Sequence, residues 1–220
     1  MRKKPQFKKS PWLVLLTLAL LMIMFTLSSK PLLAKTQTRP VKGRYYQTDA
    51  RKMLSMLNTF RTGKQAWYYK KPGSKKKVEL KKVKLKNLRK LKYDYKLEKV
   101  AMKRAAEIAV YFSHTRPDKT QWNTAFPSGY MYRGENLAMG TSSYMTAKTT
   151  MELWKETKES YNGQGHRRNM LYSSFKCVGI ACFEYEGNKY WVQEFGSPRL
   201  GSKKTTAVNK VKTVKVKVKN

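Results

Sequence analysis

The chain has 220 residues, of which 48 are Lys or Arg and 13 are Asp or Glu, so its formal net charge is +35. Its 14 Tyr, eight Phe and five Trp exclude a disordered chain, which lacks large apolar side chains. Its two Cys exclude a disulfide scaffold and a four-thiolate zinc finger, so a packed core must hold the fold together. The charge selects anionic partners without distinguishing nucleic acid, lipid, cell-wall polymer and acidic glycan.

The N-terminal 34 residues have the pattern of a targeting segment. A basic cluster precedes position 10, and an uncharged run then extends from Trp12 to Leu27. This run is shorter than the roughly 20 residues that span a bilayer comfortably. Residues 1–34 are therefore predicted to be a signal peptide or an N-terminal anchor, with cleaved export as the favoured interpretation. The protein is expected to be secreted, or anchored facing outward with membrane contact only through an uncleaved segment.

The next part of the chain predicts one helix and an irregular basic stretch. Residues 35–48 lack hydrophobic periodicity and are interpreted as a linker. Asp49 has the position of an N-cap, and apolar residues then recur at helical spacing as far as Thr62. From Trp67 to Lys92, Val and Leu alternate within a Lys-rich sequence, which predicts a short strand or an extended basic loop.

The middle of the chain contains the strongest helical pattern. Asp94 opens an apolar stripe with 3.6-residue spacing, which predicts a helix to about Ser113. A loop rich in Pro, Gly and aromatic residues follows. Another helix is predicted from about Ser143 to Ser160.

The last third of the chain predicts strands. Val178–Tyr185 and Tyr190–Phe195 flank a short turn sequence and are predicted to form a β-hairpin. Cys177 and Cys182 would point to opposite faces of a regular strand, which predicts two free, buried thiols. Residues 199–220 are assigned to a basic tail, whose alternating Val and Lys residues suit an edge strand or a disordered segment better than a central strand.

The candidate chemical groups are the two His residues of the chain and nearby carboxylates. His114 follows the predicted central helix, and His166 lies in a Gly-rich segment. Glu135, Glu156 and Glu159 lie between these two positions. Imidazole and carboxylate groups together suit zinc or magnesium. A His at a helix end is also favoured by the helix dipole without any further role, so the residues alone leave a shared site open.

Six motifs in order carry a family resemblance. They are Leu97–Ala101 with Arg104–Glu107, Phe112–Pro117, Gly134–Ala138, Trp154 with Gly165–Leu171, Val178–Ile180, and Tyr190–Gly196. This order resembles that of the CAP superfamily, named for cysteine-rich secretory proteins, antigen 5 and plant pathogenesis-related proteins. The chain is similar to the bacterial secreted branch of that superfamily, and the resemblance predicts a CAP domain over residues 49–198.

The resemblance implies an α+β fold, a CAP-type α-β-α sandwich with a small antiparallel sheet between helical layers. It also implies a central cleft lined by two His and two Glu, which binds a divalent cation in some relatives. Matched by motif, these residues are His114, Glu135 and His166, with Glu156 favoured over Glu159 as the second glutamate. The implied cofactor is zinc or another divalent cation such as magnesium, or none.

The sequence is compatible with two functions. The favoured one is a secreted or cell-surface binding module, with the His/Glu cleft and a basic surface for an anionic cell-wall polymer, lipid or host glycan. That surface is assigned to seven lysines of the Lys-rich stretch, namely Lys75, Lys76, Lys77, Lys81, Lys82, Lys84 and Lys86.

The alternative is a metal-assisted, protease-like hydrolase that uses Glu135 or Glu156 as general base. No nucleophile is apparent, so the sequence favours a binding protein over an enzyme and assigns no catalytic residue. Nucleic-acid binding is disfavoured because the protein is expected to be exported. It is also disfavoured because the aromatic residues are not interleaved with the basic stretch.

Overall fold

The computed structural model describes residues 35–80, 88–200 and 203–219. The predicted targeting segment, residues 1–34, lies outside these ranges, as do four of the seven predicted anion-binding lysines, Lys81, Lys82, Lys84 and Lys86. Within the described ranges, no helix combines the length and the apolar character that crossing a membrane requires.

The described residues form four α-helices and eight β-strands. In chain order these are β1 (Thr36–Tyr45), α1 (Gln47–Thr62), β2 (Trp67–Tyr69), β3 (Lys77–Glu79), β4 (Lys92–Tyr93), α2 (Tyr95–Val110), β5 (Tyr132–Thr141), α3 (Ala147–Lys155), α4 (Gly165–Leu171), β6 (Cys177–Tyr185), β7 (Asn188–Ser197) and β8 (Val211–Lys219). The main sheet has the antiparallel order β5-β7-β6-β1-β8, and β4 pairs in parallel with the start of β6. Strands β2 and β3 pair separately, within the stretch for which a short strand was predicted.

Alternate residues of the central strand β6 face two helical layers. Val178, Ile180 and Cys182 pack with α1, α3 and α4 on one face of the sheet, whereas Ala181 and Phe183 pack with α2 on the other. Both faces are therefore apolar, and the sheet is covered on both sides. This arrangement confirms the predicted α-β-α sandwich.

Helix α2 begins where the sequence predicted and ends earlier. The Asp94 carboxylate accepts hydrogen bonds from two N–H groups of the first turn, at 2.8 and 3.4 Å, which confirms it as the N-cap. The helix ends at Val110 instead of Ser113, because the backbone of Tyr111 is extended. The carbonyl of Ser113 instead accepts a hydrogen bond from Arg104 at 2.8 Å.

Helix α1 begins at Gln47, before the Asp49 that was predicted to cap it. The amide of buried Gln47 donates to the carbonyl of Ile180 at 3.0 Å and accepts from the N–H of Cys182 at 3.2 Å. Asp49 lies in the first turn and pairs with a lysine of the same helix. The prediction was wrong because a contact with β6, which no local pattern reveals, fixes the start of this helix.

The late hairpin is present as predicted. Its two-residue turn consists of Glu186 and Gly187, whose φ angles of 48° and 74° suit the tight turns that join twisted antiparallel strands. Cys177 and Cys182 are buried and free on opposite faces of β6. Burial raises the pKa of the Cys177 thiol to about 12, so this group remains protonated and unreactive.

Two segments predicted to lie outside the domain contribute strands to its sheet. Residues 35–48, interpreted as a linker, contain β1. Residues 199–220, assigned to a basic tail, contain β8 at the sheet edge, which confirms the edge strand that was one alternative for this stretch. Val41 and Val216 are buried against α2, and this apolar face holds both strands in place. Basic and neutral residues occupy the alternate positions, and they masked the strand pattern of β1 in the sequence.

Candidate functional site

A cavity of about 510 Å³ lies where α4 and the loop before it meet the edge strand β5. His114, Glu135, Glu156 and His166, the four residues matched by motif, all line it. Glu159 does not contribute to this lining and instead borders a neighbouring depression. The cavity is completed by Asn162, Gly163, Gly165, Arg168 and Asn169.

The first pair in the cavity is formed by His114 and Glu135. Nδ1 of His114 lies 2.8 Å from Oε1 of Glu135, whose side chain is fully buried while 57% of the histidine side chain is exposed. Arg104 donates to both carboxylate oxygens, at 2.7 and 3.2 Å. Burial alone would raise the pKa of Glu135, but the hydrogen bonds from His114 and Arg104 hold it below its ordinary value. Glu135 is therefore ionised at neutral pH.

A buried ion-pair network supports this pair from behind. Arg104 also donates to Glu107 at 2.9 Å, and Arg116 donates to both oxygens of Glu107 at 2.9 and 2.6 Å. Because Arg104 also bonds the carbonyl of Ser113, the network fixes the loop immediately before His114. The buried guanidinium and carboxylate charges thus compensate one another at the base of the site.

The second pair is formed by Glu156 and His166. Helix α3 is shorter than the predicted 143–160 because Glu156 has a φ of 45° and ends the helix in the left-handed conformation. Oε1 of Glu156 bonds Nδ1 of His166, and Oε2 accepts the backbone N–H of Arg167 at 3.1 Å. A left-handed conformation costs a non-glycine residue about 1–2 kcal/mol. Glu156 makes its two contacts with α4 while its backbone is in this strained conformation.

Side-chain amides join α4 to β5 and keep the two pairs in one site. Asn136 donates to the carbonyl of His166 at 3.2 Å. Asn169 donates to the carbonyl of Glu135 at 3.1 Å and to the side chain of Asn136 at 3.0 Å. The indole of Trp154 on α3 donates to another β5 carbonyl at 3.1 Å. His166 is therefore carried by a helix that is bonded to β5, the strand that also carries Glu135, the partner of His114.

Two charged residues of this site, Arg104 and Glu194, had no role predicted from the sequence. Glu194 lies opposite Glu135 in the β5–β7 register and is fully buried. Burial, followed by the charge of Glu135, raises the pKa of Glu194 well above its ordinary value, which favours its protonated form. Each residue could have been noticed in the sequence as a charged residue inside an apolar pattern. Arg104 interrupts the apolar stripe of α2, and Glu194 lies within the apolar run of β7.

We expect Glu194→Gln to stabilise the domain increasingly as pH rises. A carboxyl with a raised folded pKa contributes stability that is complete below the unfolded pKa of about 4.3 and is lost as pH rises through the folded value. Glutamine does not ionise and removes this loss, which amounts to about 1.4 kcal/mol for each unit of raised pKa.

Urea unfolding between pH 4 and pH 9 measures the effect. The free energies of unfolding of the wild type and Glu194→Gln, plotted against pH, should converge near pH 4 and separate above it. The free energy of unfolding of Glu159→Gln, a change at an exposed position, should show no pH-dependent difference from the wild type. A difference between Glu194→Gln and the wild type that is constant with pH would contradict the assigned protonation.

The side chains around the cavity do not form a preassembled set of three metal ligands. Among the residues of the described ranges, no three His, Cys, Asp or Glu side chains come together in a way that could hold a metal ion. Each cavity carboxylate instead bonds Nδ1 of its histidine, the arrangement in which a carboxylate orients an imidazole. The site therefore contains two oriented imidazoles, each with Nε2 as its other ring nitrogen, and does not form a four-ligand centre.

The predicted anion-binding surface is described only in part. Lys75, Lys76 and Lys77 are exposed before and at the start of β3. The ammonium group of Lys77 lies 3.9 Å from the centre of the Trp67 ring, which is a cation–π distance. These lysines are therefore available to solvent, apart from this stacking contact.

Comparisons with known proteins agree with the fold. The model of the Cysteine-rich secretory protein family (CAP) matches residues 54–195. NaASP2, solved with Zn²⁺, is 19% identical with a TM-score of 0.50, and the match covers 76% of this chain and 88% of that one. An outer surface protein from Borrelia burgdorferi is 19% identical with a TM-score of 0.48, and the match covers 70% and 97% of the two chains. Venom allergen-like protein 4 from Schistosoma mansoni is 18% identical with a TM-score of 0.44, covering 72% and 95%.

At 19% identity and a TM-score of 0.50, the similarity to NaASP2 shows the fold alone. A search of curated proteins found no match. The family match, in contrast, spans more than half of the chain and includes both histidines and both cavity glutamates. The chain therefore belongs to the cysteine-rich secretory protein (CAP) family.

Proposed function

We propose that this chain is an exported CAP-domain binding protein that holds its ligand between two carboxylate-oriented imidazoles. The observation that carries the proposal is the pairing of each cavity histidine with its own glutamate, His114 with Glu135 and His166 with Glu156. Groups fixed in this way lose little freedom when a ligand binds. Export is supported by the basic and then apolar N-terminal pattern and by the generally extracellular character of the family.

The chemistry of the cavity favours a small polar ligand, with a divalent cation as the simplest candidate. Zinc prefers four ligands that include imidazole nitrogen, and the cavity offers two imidazoles. The remaining positions would be filled by water or by a polar ligand. Such a cation would bind weakly and exchange readily, unlike a structural metal. NaASP2, which shares the fold, was solved with Zn²⁺.

Calorimetric titration of the purified chain with zinc and then magnesium tests the cation. We expect saturable zinc binding near one equivalent, lost in both His114→Ala and His166→Ala, and weaker magnesium binding because imidazole favours zinc. Glu159→Gln is the control, because Glu159 lies outside the cavity lining. Thermal melting should first establish that all variants fold. Zinc binding unchanged in both histidine variants, or no binding to the wild type, would contradict this part of the proposal.

The same variants address the metal-assisted hydrolase. Loss of a measured hydrolytic activity both on chelation and in His166→Ala would favour that alternative over a pure binding function. Activity that survives either change would contradict a metal mechanism.

The second part of the proposed function is adhesion to an anionic polymer or surface. The formal charge of +35 and the exposed lysines around Lys76 support this part. Such binding depends on counterion release and weakens steeply as salt rises. The candidate partners are an anionic cell-wall polymer, lipid or host glycan.

A further inference from the structure

The paired strands β1 and β8, together called the edge ribbon, present a face to solvent that carries a regular charge pattern. In an antiparallel pair, directly opposed residues lie on the same face, and successive pairs alternate between the faces. Val41 and Val216 lie buried on the core face, which fixes the register and leaves the other face to solvent. The opposed pairs of the solvent face are Thr36/Lys219, Thr38/Lys217, Pro40/Lys215, Lys42/Thr213 and Arg44/Val211.

Each of these five pairs contains one basic and one neutral residue. All five basic side chains are exposed. Successive pairs on one face are two residues apart, so the pairs, each with one positive charge, repeat about every 6.8 Å along the ribbon and extend over about 27 Å. The cation lies on β8 in the first three pairs and on β1 in the last two, from Lys42 onward. The result is a single line of charges that steps once from β8 to β1 along the ribbon.

Few acidic groups compensate this line. Neither strand of the edge ribbon contains Asp or Glu. Glu184 on β6 lies opposite Arg44, which also donates to the carbonyl of Asn209 at 3.3 Å, so that end of the line is partly neutralised. The three β8 lysines, Lys215, Lys217 and Lys219, face neutral residues. They therefore form the strongest part of the line.

We propose that the edge ribbon binds a linear polyol-phosphate polymer along this line of cations. An extended phosphodiester of a three-carbon polyol has, per charge, the same number of backbone bonds as two residues of a β-strand. Its phosphates therefore repeat at about the 6.8 Å spacing of the pairs. The inference rests on the proposed function only for the anion-binding surface and is independent of the cleft.

Other anionic partners fit this face less well. A single-stranded nucleic acid has a similar backbone, but none of the ten residues on the solvent face is aromatic and able to stack a base. Proteins bind a bilayer surface through clusters of basic residues with apolar anchors. The solvent face of the edge ribbon instead carries a line of basic residues that is one residue wide. A phosphodiester chain without bases matches both the width and the spacing.

The test compares two triple variants of the full-length chain that remove the same charge. Lys215→Gln, Lys217→Gln and Lys219→Gln are combined in one protein, and Lys75→Gln, Lys76→Gln and Lys77→Gln in the other. Binding to synthetic poly(glycerol phosphate), to oligo(dT) and to phosphatidylglycerol vesicles is measured over a range of salt concentrations. A third variant, with Lys215, Lys217 and Lys219 replaced by Arg, retains the charge and should bind like the wild type.

We expect the β8 variant to bind poly(glycerol phosphate) roughly ten- to hundred-fold more weakly than the wild type at low salt. The magnitude of its slope of log affinity against log salt should decrease by about 2, because each of the three cations removed contributes about 0.7. The variant at positions 75–77, which lie on the other part of the anion-binding surface, should lose less affinity than the β8 variant. Equal losses in both variants, or a larger loss at positions 75–77, would overturn the edge ribbon as the site and leave the anion-binding function standing.

The remaining outcomes separate the partners. Tighter binding of the wild type to oligo(dT) or to vesicles than to poly(glycerol phosphate) would overturn the choice of polymer. Failure of the wild type to bind any of the three probes would overturn both the inference and the anionic part of the proposed function.

Discussion

Replacing Arg104 by methionine should destabilise the domain by about 3–5 kcal/mol at neutral pH, since it removes one member of a buried ion-pair network. Arg104 is fully buried and compensates Glu135, whose other basic contact within the described ranges is the half-exposed His114. Without the guanidinium, Glu135 would be a buried charge beside Glu194, whose protonated form is favoured. Urea unfolding at pH 7 measures the loss.

The pH dependence of the stability of this variant distinguishes the effect of the lost charge from the effect of the lost packing. The pKa of Glu135 is lowered in the folded protein, so its contribution to stability is present above the unfolded pKa and is lost as pH falls through the folded value. The difference in the free energy of unfolding between the wild type and Arg104→Met should therefore decrease at acidic pH. Lys103→Met, at the exposed neighbouring position of α2, should change stability by less than about 0.5 kcal/mol. A gap that does not change with pH would show that Arg104 acts through packing alone.

Replacing Gly179 by alanine should be comparably severe, for a steric reason. Gly179 lies on β6 under the first turn of α2, where an added Cβ would come within 2.1 Å of the backbone N of Glu98 and the backbone C of Leu97. A backbone cannot rotate away as a side chain can, so the helix would have to shift from the sheet. We expect a loss at or above the upper end of the roughly 1–3 kcal/mol that overpacking costs.

Gly165→Ala provides the matched control for this substitution. A Cβ at Gly165 meets no atom within 4 Å, and the residue lies at the start of α4. This variant should unfold with a free energy equal to the wild-type value or up to about 1 kcal/mol higher. Wild-type stability of Gly179→Ala in the same urea titration would contradict the close approach of α2 to β6.

The helices and strands that could be predicted from the sequence are those specified by residues close to one another in the chain. Asp94 and the apolar stripe after it define α2, and a turn of Glu186 and Gly187 between two apolar runs defines the hairpin. Strand β1 depends on pairing with residues far along the chain, and its alternate basic residues with Pro40 resemble a linker. Local pattern was sufficient only where the stabilising contacts are themselves local.

The candidate site divides in the same way. The family motifs identified His114, Glu135 and His166, which line one cavity with Glu156. The role of Glu194 depends on its register with β5, and that of Arg104 depends on its burial against the sheet. Neither property can be read from nearby residues, so the groups that hold and neutralise the site were found only in the structure.

The pairing of the first strand with the last also determines when the domain can fold. Strand β1 pairs only with β6 and β8 among the described residues, so it has no partner until most of the domain has been synthesised. Such long-range pairing slows folding and leaves strand edges open in the meantime. Positive charges on open strands oppose their association with other chains. The alternating lysines of β8 and the basic residues of β1 would therefore protect the nascent protein from aggregation before the sheet is complete.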